Sequence, residues 1–152
     1  MEAKKRLETQ KKVREEMEAK KKLERQDAEE KARKAEMITD ADDFKLWMLK
    51  TELAMCQRDH IRTIPQPKAI ACNDPVCKDT MGALRVSFCR HGMQKLLNAY
   101  VKIHKSEDWK ERFLCEQKRV WHPDRFTRCP EDVRSHIQQV AEELMKVMAE
   151  LK

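Results

Sequence analysis

Val120-Trp121-His122-Pro123-Asp124-Arg125-Phe126 joins two stretches of helical periodicity, and its reading decides the architecture. Proline lacks an N–H and disfavours the α conformation in the residue before it, so His122-Pro123 ends whatever helix precedes it. That helix opens at Ser106, an N-cap with Glu107 and Asp108 at the positive end of the helix dipole, and is expected to cover Asp108 to Trp121. Trp109, Phe113, Leu114, Val120 and Trp121 supply its buried side, while Lys110, Arg112, Lys118 and Arg119 are expected to make the exposed side basic. After the loop, Pro130 stands where a first helical residue would, followed by Glu131 and Asp132 in the first turn. Val133, Ile137, Val140, Leu144, Val147 and Leu151 then alternate steps of four and three, one stripe of a helix running to the end of the chain. A short loop between two such helices only lets them fold back on each other, which predicts an antiparallel helical hairpin.

His-Pro-Asp in a loop between a basic helix and a longer amphipathic helix resembles the J domain of the Hsp40-type co-chaperones, over about residues 84–152. Ala141-Glu142-Glu143-Leu144-Met145-Lys146-Val147 is similar to the third helix of that family, which reads A-E-x-F-x-x-I. More narrowly, Val120–Phe126 followed by Cys129-Pro130-Glu131 is similar to fungal J-like proteins that read R-W-H-P-D-R-F. Those share a Cys- and Pro-rich lead-in and a Cys-Arg-His segment, here Ile64-Pro65-Gln66-Pro67, Cys72 and Cys89-Arg90-His91. The resemblance implies docking on an Hsp70-type chaperone and stimulation of its ATPase. His122, Pro123 and Asp124 would be the trigger, and Lys110, Arg112, Lys118, Arg119 and Arg125 the docking charges. Gln117 and Lys118 depart from the Leu and Ala common in that helix, so its packing is expected to be shifted. As a loop, the motif suits recognition: proline stiffens the turn, and a preorganised loop loses little entropy on binding.

Upstream, residues 1–36 are mostly Lys, Glu, Arg, Ala, Gln and Met without Gly or Pro, and predict one long charged helix. Glu8–Lys12, Glu16–Lys20, Glu18–Lys22 and Glu30–Lys34 stand at the favourable i,i+4 spacing. Its apolar residues Leu7, Val13, Met17 and Leu23 are spaced 6, 4 and 6, which is no sustained coiled-coil seam, so a solvated spacer is expected, with a helical partner as the alternative. Thr39 with Asp42 and Asp43 offers an N-cap and acidic first turn to a second helix, reaching about His60. Phe44, Trp47, Met48, Thr51 and Met55 share one face of it, and the expectation is that this face packs on the C-terminal hairpin. Ile64-Pro65-Gln66-Pro67 stops the helix, and an irregular connector runs to about Met81. Helical pattern resumes near Gly82 with Leu84, Phe88, Leu96, Tyr100 and Ile103, weakened at Gly92 by about 1 kcal/mol relative to Ala. The expectation is an all-α chain: residues 1–37 a charged helical arm, 38–81 an amphipathic helix plus connector, and 82–152 a J-like helical domain.

Cys72 and Cys77 are followed, after eleven intervening residues, by Cys89 and His91, four potential soft ligands for structural zinc. Against zinc, two residues along a helix turn Cys89 and His91 about 200° apart, an objection that weakens if the helix begins later. The spacing therefore favours small buried hydrophobes, one surface histidine and no cofactor. Cys115 and Cys129 have no partner in the pattern and are expected to pack or sit near helix ends, and His60, His104 and His136 to be exposed. Two glycines leave no phosphate-cradling loop, and no nucleophile signature is present, so a binding module is expected and not an enzyme.

The net charge of +6 could suggest nucleic acid, but residues 1–36 carry 13 Lys/Arg against 10 Asp/Glu and the remainder 20 against 17, with no polybasic tail. The rival reading is a nucleic-acid-binding or scaffold protein, with the 1–36 helix and the basic helix tracking phosphates; the interleaved acids and few aromatics count against it. The Lys/Glu-rich N-terminus has no apolar signal core and no apolar run reaches membrane-spanning length, so a cytoplasmic or nuclear setting with reduced cysteines is expected.

Overall fold

No glycine or proline occurs before Pro65, so nothing in the backbone interrupts a helix that starts at the N-terminus. The computed structural model describes residues 2–77 and 88–152, with side chains from Glu8 onward except Thr9; the expected restart near Gly82, Leu84 and the connector's end at Met81 lie outside the described residues. The protein is all-α. Helix α1 spans Glu2–Cys56, α2 Arg90–His104, α3 Glu107–Val120 and α4 Glu131–Glu150, with 3₁₀ turns at Arg58–His60 and Pro123–Phe126 and no strand among the described residues. Among the described residues no helix is long and apolar enough to cross a membrane.

The chain divides into two compact units, Met1–Met37 and Ile38–Lys152. In the first, Val13, Met17 and Leu23 are exposed. Lys34 and Glu30 pair at 2.7 Å, and Arg14 and Glu18 pair at 3.2 Å, so Glu18 reaches back along the helix toward its N-terminus.

The second unit corrects the expected helix start at Thr39: α1 is unbroken there. A new cap would require the preceding helix to end, orphaning backbone groups on both sides, and no helix breaker compensates for that loss. The two acids that looked like cap residues make tertiary ion pairs instead. Asp43 meets Lys68 of the connector at 2.8 Å, and the buried Asp40 meets Lys95 of α2 at 3.5 Å. The Asp43 carboxylate, through its hydrogen bond and charge, holds the Lys68 ammonium above its ordinary pKa.

Seven of the eight aromatic residues form one connected cluster. Phe44 of α1 lies 5.3 Å from Tyr100 of α2 and 5.7 Å, edge-on, from Phe113 of α3. Trp47 stacks on Trp121 at 6.4 Å, and its indole N–H donates to the carbonyl of Pro65 at 3.0 Å. Few aromatics therefore suffice for a core, because nearly all of them meet at the junction of α1, α2 and α3. On the opposite side of α1, Leu46, Leu49 and Leu53 are exposed.

Helix α4 buries Ile137, Val140, Ala141, Leu144 and Met148, so Ala141 and Met148 join the predicted stripe while its Val133 and Val147 are only half-buried. Pro130 is its N-cap and not its first helical residue, and the helix ends at Glu150. The start of α2 lies beside the end of α4: Gln94 both donates to and accepts from the backbone of Lys152, at 2.7 and 2.9 Å, and Arg90 meets Glu150 at 3.5 Å. The region after α1 docks on the other end of α4, through the Arg62–Asp132 ion pair and the Cys129 thiol, which donates to the Arg58 carbonyl at 3.3 Å. Burial pushes that thiol up.

Trp47 is almost wholly buried at the centre of this junction. Trp47→Ala should lower unfolding stability by about 3–5 kcal/mol in urea denaturation. An unchanged midpoint would mean that α1 does not share the core of α2–α4.

Candidate functional site

The His122-Pro123-Asp124 loop is built between two anchors. Trp121, the C-cap of α3, and Phe126, the last residue of the 3₁₀ turn, are both fully buried and stack at 6.3 Å with their planes 13° apart. Trp121 in turn stacks on Trp47, so the loop rests on a column of three rings. Between the anchors the polar side chains face outward: the His122 side chain is 52% exposed and that of Asp124 86%. His122 has extended backbone and caps the turn, its Nδ1 accepting the backbone N–H of Asp124 at 3.4 Å. The turn closes through Arg125 N–H to the His122 carbonyl at 3.0 Å, and Gln138 of α4 reaches the Pro123 carbonyl at 3.5 Å.

Gln117 supplies a support that its departure from the family pattern concealed. Its Oε1 accepts the Trp121 indole N–H at 2.9 Å, so the polar residue at this packing position satisfies a buried donor one turn away.

The basic residues divide into two groups. Arg112, Lys118 and Arg119 are exposed on α3, and Arg125 lies against the Arg119 carbonyl at 3.5 Å, next to the loop. That position sets a cation at the negative end of the helix. Lys110 does not share the face of Arg112 and Arg119. Two residues before Arg112, it lies about 200° around the helix, and its side chain, only 13% exposed, folds onto Glu107 at 3.2 Å.

A second cluster gathers the four residues singled out as potential metal ligands. The sulfurs of Cys72, Cys77 and Cys89 and a ring nitrogen of His91 all lie within 4.8 Å of one another. His91 Nδ1 is 3.1 Å from the Cys77 sulfur and 3.5 Å from that of Cys72. Helix α2 begins at Arg90, and Cys89 is its N-cap in extended conformation, so the 200° divergence expected for two helical positions does not arise. The Cys89 sulfur accepts the backbone N–H of Gly92 at 3.4 Å. Burial, then hydrogen bonds that its S–H donates to Cys72 and Cys89, pushes the Cys77 thiol up to about 12. Burial also opposes the Cys89 thiolate, but hydrogen bonds led by the Gly92 N–H outweigh it and leave Cys89 below its ordinary range.

The remaining cysteines are simpler: Cys129 is buried, while Cys56 and Cys115 are exposed, Cys115 in the body of α3. His60, His104 and His136 are exposed as expected, His104 lying against the Tyr100 ring at 5.1 Å. Comparison of the chain with protein-family models, with curated proteins and with solved structures finds no match.

Replacing Gln117 by the Leu common in the J-domain pattern should strand the buried Trp121 N–H and cost about 1–3 kcal/mol in urea unfolding. Gln117→Glu, which keeps the acceptor, should retain more of the stability. Equal stability of wild type and Gln117→Leu would rule out the support assigned to this residue.

Proposed function

We propose that the C-terminal part of the chain is a J-like co-chaperone module that docks on an Hsp70-type chaperone through His122, Pro123 and Asp124 and stimulates its ATPase. The observation that carries this reading is the contrast within six residues: the exposed polar side chains of His122 and Asp124 lie between two fully buried, stacked rings. Exposed groups on a rigid base are what a docking loop needs, because little conformational entropy remains to be lost on binding. A turn with a purely structural role would need no such outward projection of His122 and Asp124.

Arg112, Lys118, Arg119 and Arg125 supply the electrostatic part. Arg119 and Arg125 adjoin the loop, so an acidic partner surface would be drawn to the same end of α3 that presents the tripeptide. Lys110 contributes little in this reading, because its ammonium is committed to Glu107. The module binds and triggers; it performs no covalent chemistry of its own.

Single-turnover ATP hydrolysis by an Hsp70 tests the proposal. Wild-type chain should accelerate the reaction, His122→Gln should return it to the basal rate, and Arg119→Glu should weaken it, with a stronger dependence on ionic strength in wild type. Since His122 is exposed, its substitution should move stability by no more than about 0.5 kcal/mol, which separates loss of docking from loss of fold. Equal basal rates with wild type and His122→Gln would reject the co-chaperone function.

A further inference from the structure

We infer that Cys72, Cys77, Cys89 and His91 form a structural zinc(II) site that clasps the connector after α1 to the N-terminus of α2. This site is independent of the chaperone reading and stands on its own geometry.

Tetrahedral zinc with Zn–S near 2.3 Å and Zn–N near 2.0–2.1 Å sets sulfur atoms about 3.8 Å apart, and sulfur and nitrogen about 3.6 Å apart. The His91 Nδ1 distances of 3.1 and 3.5 Å to Cys77 and Cys72, and the 4.8 Å limit over all four atoms, bracket those edges, so small side-chain adjustments suffice. Three sulfurs and one nitrogen complete the four positions. No coordination position is left for water or substrate, which is the arrangement of a structural and not a catalytic centre.

The surroundings fit a metal as well as the ligands do. His91 turns Nδ1 toward the sulfurs while its other nitrogen, Nε2, lies 3.8 Å from Asp74 Oδ2. A carboxylate on the far side of a histidine orients the ring and raises its basicity toward a metal. Asp74 is itself held by accepting the Val76 N–H at 2.9 Å. The Gly92 N–H aimed at the Cys89 sulfur, and the α2 N-terminus behind it, stabilise negative charge on that sulfur. Three thiolates and one zinc ion would leave a site charge of minus one, directed at that positive helix end. Without a metal, three thiols crowd one imidazole in a partly buried cluster. With zinc, each thiol releases its proton to solvent as its Zn–S bond forms, and the crowding becomes coordination.

Zinc here would join the connector to the start of α2. Among its described residues from Ile61 on, the connector is helical only at residues 75–77, and Ile70 stands against Gly92 at the start of α2. Metal binding would therefore add to fold stability, since the unfolded chain holds no preformed site.

The test uses the full chain, purified under reducing conditions without chelator, with elemental analysis and cobalt(II) substitution as readouts. The expected result is one zinc per chain. The cobalt form should show the absorption of a tetrahedral thiolate-rich site, and a strong chelator should lower the thermal midpoint by about 5 °C or more. Cys77→Ser and Cys89→Ser should lose metal, His91→Cys should retain it by keeping four ligands, and Cys115→Ser should behave as wild type. Should the serine variants fail to fold, the wild-type cobalt spectrum decides alone. Zinc near zero together with no tetrahedral cobalt spectrum on the reduced protein would overturn the inference. So would mapping of the denatured, unreduced chain that finds two of Cys72, Cys77 and Cys89 joined in a disulfide.

Discussion

The stacked column Trp47–Trp121–Phe126 is the constraint on which the second unit depends. Trp121 ends α3 and Phe126 ends the turn that follows, so stacking one on the other fixes the start and finish of the His122-Pro123-Asp124 loop. Trp47 brings α1 against the same column and ties the connector to it through the Pro65 carbonyl. Each ring removes a large apolar area from water, and aromatic pairs in tilted or offset geometry add about 0.5–1.5 kcal/mol beyond that area. Core stability and the shape of the exposed loop therefore come from the same side chains. A loop built this way holds its geometry without internal packing of its own, which leaves its polar groups available to a partner.

Cysteines and charged residues serve the same economy of contacts in the thinner parts of the molecule. The connector after α1 buries Ile61 and Ile64 and is held in addition by discrete polar attachments: Lys68 on Asp43, Arg62 on Asp132, the Trp47 indole on Pro65 and Cys129 on the Arg58 carbonyl. Exposed ion pairs contribute only about 0–1 kcal/mol each. A segment attached in that manner gains more from a metal clasp than a segment already buried by its own side chains. The zinc inference thus meets a structural need and not only a ligand count.

Periodicity carried most of the fold. Ile137, Val140, Leu144 and Leu151 of the C-terminal stripe and Phe44, Trp47 and Thr51 of the α1 face are buried where the spacing placed them, while Val133, Val147, Met48 and Met55 are half-buried, and Ser106 caps α3 through the Trp109 N–H. The break at Thr39 was misread because a cap signature is local, whereas Asp40 and Asp43 are engaged by lysines distant in sequence, at 95 and 68. Lys110 was placed on the wrong side by composition alone, although counting about 100° per residue from Arg112 would have put it inward. Gln117 could not be assigned from the chain, since its partner is the indole of a residue whose burial depends on α1. The metal cluster was legible in its members but not in its geometry: whether Cys89 and His91 converge depends on where α2 begins, and a one-residue shift in a helix start is below what sequence pattern resolves.

The proposed role of the His122-Pro123-Asp124 loop as a preorganised docking surface for an Hsp70 can be read by residue-resolved NMR of the isotopically labelled chain titrated with an ATP-bound Hsp70. Shift changes or broadening should be confined to His122–Arg125 and the exposed basic residues of α3, with the indole signals of Trp47 and Trp121 unmoved because the supporting column does not rearrange. An unperturbed loop, or perturbation confined to residues 1–37, would contradict it.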